Sequence, residues 1–526
     1  LSEEQIQSTF QESRRGYGNL IGLFVAMLIL LLAGHAYFEY TTDDSYISFR
    51  YARNLAEGNG LVWNPGERLE SYSNFLWVVL LSLAHTIGLN IVFTAKILGI
   101  LSGIGILILS YWLARELGRP KVSPYLWIAP ILLVYNRDFL FWMGSGMETA
   151  FYAFLVLAAI CRYFIEIRTN DRKPISAILF FLVAITRPEG IVFYLATVVY
   201  DISYLRRYSW RSYLVFFILL AAYHVWRIVY FGDVLPCPYY AKIGGDERFR
   251  AGVEYLSNYF IKYLPFLAVL SLLLLFPPGD PGKCFYLFWM MIAGAGAALY
   301  MDGDWMWHFR LMIPVTVLLC ALTVPAISGV LGGARSGDRR IRGLVLLIGF
   351  LLVHQAVGVS GKDLAHILTG RRLPMSGCLE GELTQAMESL GLWLRERSQP
   401  GDLIAVNHAG ALPFYADRPA LDMTGLCNRH ISRLPGGLHK KYDPDYVLAC
   451  TPRYVILNTS RRPSDGGYGR DYWEGENALY DHPEFLKQYR PLPEFWTWRW
   501  DAVTPDLTYT MVFERVSPLE NGPKGD

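Results

Sequence analysis

Apolar residues recur along the first two-thirds of this chain in blocks of about 20, the length at which a helix crosses the hydrocarbon core of a bilayer. Lipid offers backbone N–H and C=O groups no partner, so a chain built of such blocks folds as helices that pair their own polar groups. Composition agrees: 53% of the 526 residues are hydrophobic and 18% are charged. The chain therefore reads as a polytopic α-helical membrane protein. Its net charge of +2 is carried by short basic loops between apolar blocks, which is a topological pattern, and no nucleic-acid partner is expected.

Spans are expected at roughly 20–38, 91–114, 122–135, 147–166, 174–186, 189–205, 212–231, 256–276, 284–301, 311–331 and 342–357, about eleven in all. The first follows Arg14 and Arg15, exceeds a signal-peptide core and lacks a small-residue cleavage site, so it reads as uncleaved. Segment 74–88 is apolar but short for a span, and charge decides its place. If it does not cross, the loops carrying Arg115, Lys121, Arg168, Arg172, Lys173, Arg206, Arg207, Arg211, Lys283, Arg335 and Arg339 all fall on the side of Arg14, as the positive-inside rule requires. It is therefore a juxtamembrane helix, the amino terminus is cytoplasmic, and the protein is a multi-pass component of the cell membrane. Residues 1–358 form the membrane module, with an external loop at 40–74. Residues 359–526 turn polar and Pro/Gly-rich and read as a soluble extracytoplasmic mixed α/β domain. That domain should contain a helix at 381–397 and strands at 403–406, 453–457 and 509–513. The cysteines form no CxxC pair; Cys378, Cys427 and Cys450 either pair among themselves or stay free.

The outer-face loops hold the unusual polar residues. Asp43 and Asp44 follow the first span, and a partly desolvated carboxylate there suits general-base work, while Asp44 before SYISFRYARNLAEG equally suits a helix N-cap. Arg50 and Arg53 share a helix face and either grip a phosphate or meet lipid headgroups. Glu148 in SGMET is a site candidate or a helix-start carboxylate. Arg187 and Glu189 in TRPEG form a charge pair, structural or functional. Tyr239, Tyr240 and Lys242 in YFGDVLPCPYYAK, with Asp304, Trp305, His308 and Arg310 in DGDWMWHFR, combine aromatic faces, acids and cations that suit a sugar beside a phosphate. His408 and Asp422, after the first strand of the soluble domain, suit ligand or acceptor binding, or a structural loop. Asp43, Asp44, Asp302, Asp304 and Glu148 would offer oxygen ligands to a divalent cation (Mg, Mn or Ca) if they converge, though no spacing demands it. No HExxH, GxSxG, P-loop or GxGxxG signature appears in a suitable context.

Taken in order, DDSYISFRYARNLAEGNGLVWNPGERLESYSNFLW, SGMET, TRPEG, YFGDVLPCPYYAK, DGDWM and AGALPFYADRPALDMTGL resemble the polyprenyl-phosphate-dependent GT-C glycosyltransferases of the terminal arabinofuranosyltransferase B (AftB) family, from Tyr40 to about Ile431. The resemblance implies a GT-C fold and transfer of a sugar, D-arabinofuranose first, from a polyprenyl-phosphate donor to a cell-envelope glycan or glycoprotein acceptor outside the membrane. It implies that Asp43 or Asp44 is the catalytic carboxylate and that Lys242, Arg310 and Arg53 hold the donor phosphate. A single displacement would invert the anomeric centre; net retention would make one carboxylate a nucleophile. Alternatives keep the fold and change the sugar, to mannose or aminoarabinose types, or make the chain a lipid-linked sugar flippase. Flippase machinery would place polar groups mid-span with repeat symmetry, and neither is visible.

Overall fold

The computed structural model describes residues 3–118, 125–242, 248–275, 280–333, 380–437, 439–460, 468–469, 473–499 and 507–516, with isolated positions at 343, 346, 349 and 369. Six helices among them are long and apolar enough to cross a membrane: Tyr17–Ala36, Ile91–Leu117, Thr149–Thr169, Trp210–Phe231, Pro281–Tyr300 and Arg310–Ser328. Shorter apolar helices Ile175–Thr186, Ile191–Ser203 and Leu264–Leu275 lie where spans are expected. The expected span 122–135 holds the helix Ile128–Val134, which ends because Asn136 caps the next helix, Arg137–Gly144, by accepting from the Phe139 amide at 3.0 Å. The span expected at 342–357 lies outside the described residues.

Segment 74–88 forms a short helix, Phe75–Thr86, that stops before Gly88 at φ 87°. It buries Trp77, Val78 and Leu81 against the helix Ser45–Ala56. A large core inside the bundle joins residues such as Leu30, Ile106, Phe139, Val156, Met290 and Leu318.

After the bundle comes a five-stranded sheet: β1 Ile404–Val406, β2 Ala420–Asp422, β3 Tyr454–Thr459, β4 Tyr489–Trp498 and β5 Thr508–Arg515. Their order is β2-β1-β3-β5-β4, with β1 parallel to β2 and β3, and β5 antiparallel to β3 and β4. The helix Gly381–Arg397 covers one face with Leu383, Met387, Leu390 and Leu394, as its spacing predicts. Strands were expected at β1, β3 and β5; β2 and β4 are too short or too polar to announce themselves. Cys427 and Cys450 are free thiols, and Cys378 lies outside the described residues.

A second core merges the two parts of the molecule. Tyr46, Phe49, Trp63, Tyr72 and Trp77 from the first loop pack in one cluster with Met387, Leu390, Val406 and Leu412 of the α/β domain. Burying each such aromatic contributes on the order of 1.5–3 kcal/mol, so the loop is held down on both sides. Polar contacts fix its register. Arg50 donates from Nε to the Trp63 carbonyl at 2.7 Å and from Nη2 to the Arg418 carbonyl at 2.7 Å. The Asn64 amide exchanges two hydrogen bonds with the Ala420 backbone, at 2.8 and 3.1 Å, extending the edge of β2.

Candidate active site

The turn carrying the two aspartates is pinned to the turn carrying Glu148. The Thr42 amide and the Ser45 hydroxyl both donate to the Ser145 carbonyl at 3.1 Å. Gly146, at φ 84°, leaves the space that Thr41 and Phe49 occupy. This fixes where each carboxylate points. Asp43 is buried, and its oxygens accept from the amides of Ala411 at 2.8 Å and Gly410 at 3.2 Å, the start of the helix Ala411–Ala416 in the other domain. Its negative charge suits that helix terminus. Asp44 occupies the N-cap position of Ser45–Ala56 but has helical dihedrals, and its side chain makes no capping bond. The capping alternative is not taken.

Asp44 instead lines a cavity of about 980 Å³ between the bundle and the α/β domain. Its carboxylate has no hydrogen-bond partner among the described residues. Burial raises its pKa above the ordinary value, with Arg310 and Lys242 pulling the other way and Asp304 and Glu148 adding to the rise. Burial also lifts Asp43 to about 7, against the Ala411 amide and helped by the Asp44 charge.

Two cations complete this end of the cavity. Lys242 closes the short helix Cys237–Lys242 and makes no ion pair with a described residue; burial lowers its pKa while Asp304 opposes. Arg310 is oriented by Asp304, 2.7 Å from its Nε, and lies over the Trp142 ring at 5.5 Å. Behind them Glu148, Arg187 and Glu189 form a buried triad: Arg187 bonds Glu148 at 2.5 Å and also Glu189, and the Asn74 amide donates to Glu148 at 2.7 Å. Burial alone would raise Glu148, but Arg187, Arg310 and Asn74 outweigh it and hold its carboxyl below the ordinary value. All three residues line the cavity, and Glu189 Oε2 is buried with no hydrogen-bond partner among the described residues. Tyr239, Trp305 and His408 also line it. Burial and neighbouring His439 bring His408 down to about 4, a neutral ring at physiological pH.

Five expected site residues lie elsewhere. Arg53 is bound to Asp417 at 2.9 Å and stacked on Phe414, a seam between the domains, because its helix presents that face to Ala411–Ala416. His308 is 2.8 Å from Asp138, which also binds Lys262 at 2.7 Å, in a cluster off the cavity. Asp304 serves Arg310. Tyr240 lies under the Arg433 guanidinium. Asp422 is buried and takes the amides of Thr424 and Cys427 at 2.8 and 2.6 Å, the work of a structural loop.

The sequence reading also missed lining residues Glu380, Asn407, His439 and Trp473. A lone Glu before a helix reads as a dipole partner, and only the domain contact shows otherwise. The described residues contain no group of three Asp, Glu, His or Cys side chains arranged to hold a metal. Among the acids named for a cation, Asp43 is committed to amides, Asp304 to Arg310 and Glu148 to Arg187, while Asp44 and Asp302 line the cavity.

A helical membrane bundle whose first loop is roofed by a following α/β domain is the GT-C architecture, and the chain has that fold. The similarity in structure extends to ArnT from Cupriavidus metallidurans bound to undecaprenyl phosphate, at TM-score 0.57 and 11% identity over 94% of this chain and 97% of that one. It extends also to the archaeal oligosaccharyltransferase AglB from Archaeoglobus fulgidus with an inhibitory peptide and a dolichol-phosphate, at TM-score 0.52 and 15% identity over 97% and 75%. In sequence, the chain is 26% identical over 239 residues to the terminal beta-(1->2)-arabinofuranosyltransferase of Mycobacterium tuberculosis, covering 42% of this chain and 38% of that protein. Residues 379–512 match a family described as a domain of unknown function (DUF8728).

Proposed function

We propose that this protein is a glycosyltransferase that moves a sugar, D-arabinofuranose in the first instance, from a polyprenyl-phosphate donor to a hydroxyl of a cell-envelope glycan or glycoprotein. The observation that carries this reading is Asp44: a carboxylate without a hydrogen-bond partner among the described residues, facing a large cavity beside Lys242 and Arg310. In this reading Lys242 and Arg310 hold the donor phosphate and stabilise the charge that grows on it as the bond to the anomeric carbon breaks. Phosphate leaves as an anion and needs no strong acid. Asp44 takes the proton of the attacking hydroxyl. Asp43, held by two amides, positions its neighbour. One free carboxylate is what a single displacement with inversion requires. The 26% identity to an arabinofuranosyltransferase supports the sugar, and the ArnT bound to undecaprenyl phosphate supports the carrier.

The chemistry would take place on the outer face. The basic ends of the helices lie away from the cavity, where Glu116 bonds Arg168 at 2.9 Å and Lys283 at 2.8 Å, and basic ends favour the cytoplasm. The test is transfer by the full chain in proteoliposomes from synthetic farnesyl-phosphoryl arabinofuranose to an octyl arabinofuranoside. A product heavier by one pentosyl unit supports the proposal. Growth by a hexosyl or aminopentosyl unit, from the matching donors only, replaces the sugar; lipid movement with no transfer replaces the enzyme with a transporter.

A further inference from the structure

One carboxyl in the cavity is used by neither the fold nor the mechanism above. Glu380 precedes the helix Gly381–Arg397, and its carbonyl begins that helix by accepting from the Thr384 amide at 2.8 Å. Its side chain does not cap the helix. It turns instead into the cavity, where its carboxyl faces the backbone amide of Asp43. The residue is 2% exposed, and its Oε2 is buried without a hydrogen-bond partner among the described residues. Its backbone sits at φ 59°, a left-handed conformation that a side chain such as Glu adopts only under constraint from its surroundings. A strained residue with an orphaned buried oxygen beside a reactive carboxylate has the features of a group awaiting a ligand.

We propose that Glu380 is an acceptor-binding residue: the α/β domain inserts its carboxyl beside Asp44, and its Oε2 hydrogen-bonds a hydroxyl of the incoming acceptor sugar. This rests on the transferase reading of the same cavity. The groups that face Glu380 are Asp43 and Asp44 on the first loop and Arg310 on the bundle. Burial and the two aspartates push its pKa well above the ordinary carboxylate value, with the Asp43 amide and Arg310 opposing. Its protonated form is thereby favoured. In that form it donates a hydrogen bond to a sugar oxygen and leaves Asp44 free to carry the charge a base needs. An ionised Glu380 would crowd a second unpaired anion into the same space. The consequence is architectural: the bundle holds the donor, and the acceptor side of the site is complete only when the α/β domain is seated.

The experiment uses the full chain in nanodiscs with the variants Glu380→Ala and Glu380→Gln. Four quantities are read: the KM for octyl arabinofuranoside, the direct affinity for that glycoside, the affinity for undecaprenyl phosphate, and the infrared band of protonated carboxyls at neutral pH. Glu380→Ala is expected to raise the acceptor KM about 10- to 100-fold while undecaprenyl phosphate binds as before. Glu380→Gln, whose amide still donates, recovers most of that loss, and both variants lose one protonated-carboxyl band. An unchanged acceptor KM in Glu380→Ala overturns the proposal. So does a parallel loss of undecaprenyl phosphate binding, which marks a purely structural role, or an unaltered infrared band. If the unaltered protein transfers no sugar at all, the transferase reading fails by itself. The direct affinity for the octyl glycoside and the infrared band then still decide the role of Glu380.

Discussion

The amide of Ala411 donates a 2.8 Å hydrogen bond to Oδ1 of Asp43, so a carboxylate at the membrane end of the first loop is the anion at the head of a helix in the α/β domain. Next to it, Gly410 passes so close that a Cβ there would lie 1.9 Å from the Asp43 carbonyl oxygen. This one contact separates the roles of two adjacent acids: Asp43 joins the domains, and Asp44 is left facing the cavity.

The two aspartates should therefore fail in different ways. Asp44→Asn is expected to cut transfer by at least about 1000-fold with melting temperature and donor affinity unchanged, because it removes the base and no structural bond. Asp43→Asn sets an NH2 group against a backbone amide and should cost about 1–3 kcal/mol of stability in acid, where the contribution of the native carboxyl is complete. Thermal unfolding and initial rates of both variants check the split.

Gly410→Ala has no room to relax, since the atom it meets is backbone. Separation of the α/β domain from the first loop is expected, seen as a lower melting temperature and faster limited proteolysis near residues 407–411. Undecaprenyl phosphate binding to the bundle should persist.

Lys242 and Arg310 should also be distinguishable. Lys242→Ala leaves no partner stranded and is expected to weaken undecaprenyl phosphate binding about 10- to 100-fold at little cost in stability. Arg310→Ala does the same and in addition strands buried Asp304, so it should lower the melting temperature too. Arg53→Ala, at the domain seam, is expected to leave lipid-phosphate affinity unchanged. Binding isotherms with thermal melts for the three variants test this ordering.

The pH dependence follows from burial. Asp44 works ionised, and its pKa is raised, so kcat/KM should climb with pH through a midpoint above the ordinary value of 3.8. Asp43 rises from 3.8 to about 7 in the folded protein, so the unfolded chain gives up this proton first. Its contribution to stability is complete below 3.8 and is lost as pH climbs towards about 7. Melting temperature should fall over that window, and Asp43→Asn should flatten the fall.

The features that were readable in the sequence depend on local pattern. Block length marked the apolar helices, and the DD, SGMET, TRPEG and DGDWM turns pointed to the polar residues around the cavity. What was not readable depends on contacts far apart in the chain. Arg53 looked like a phosphate ligand because Asp417, its partner, lies in another domain. His308 shared a motif with Arg310, yet the chain turns at His308 and Phe309, both at positive φ, and sends the two side chains to different places. Glu380 carried no local signal, and its position shows only once Gly381–Arg397 is packed over the first loop.

The most direct measurement is a cryo-electron microscopy structure of the full chain with undecaprenyl phosphate. The phosphate is expected to touch Lys242 Nζ and the Arg310 guanidinium, with the space beside Asp44 left for the sugar. A phosphate seated away from both cations, or one that blocks Asp44 from the cavity, would contradict the account.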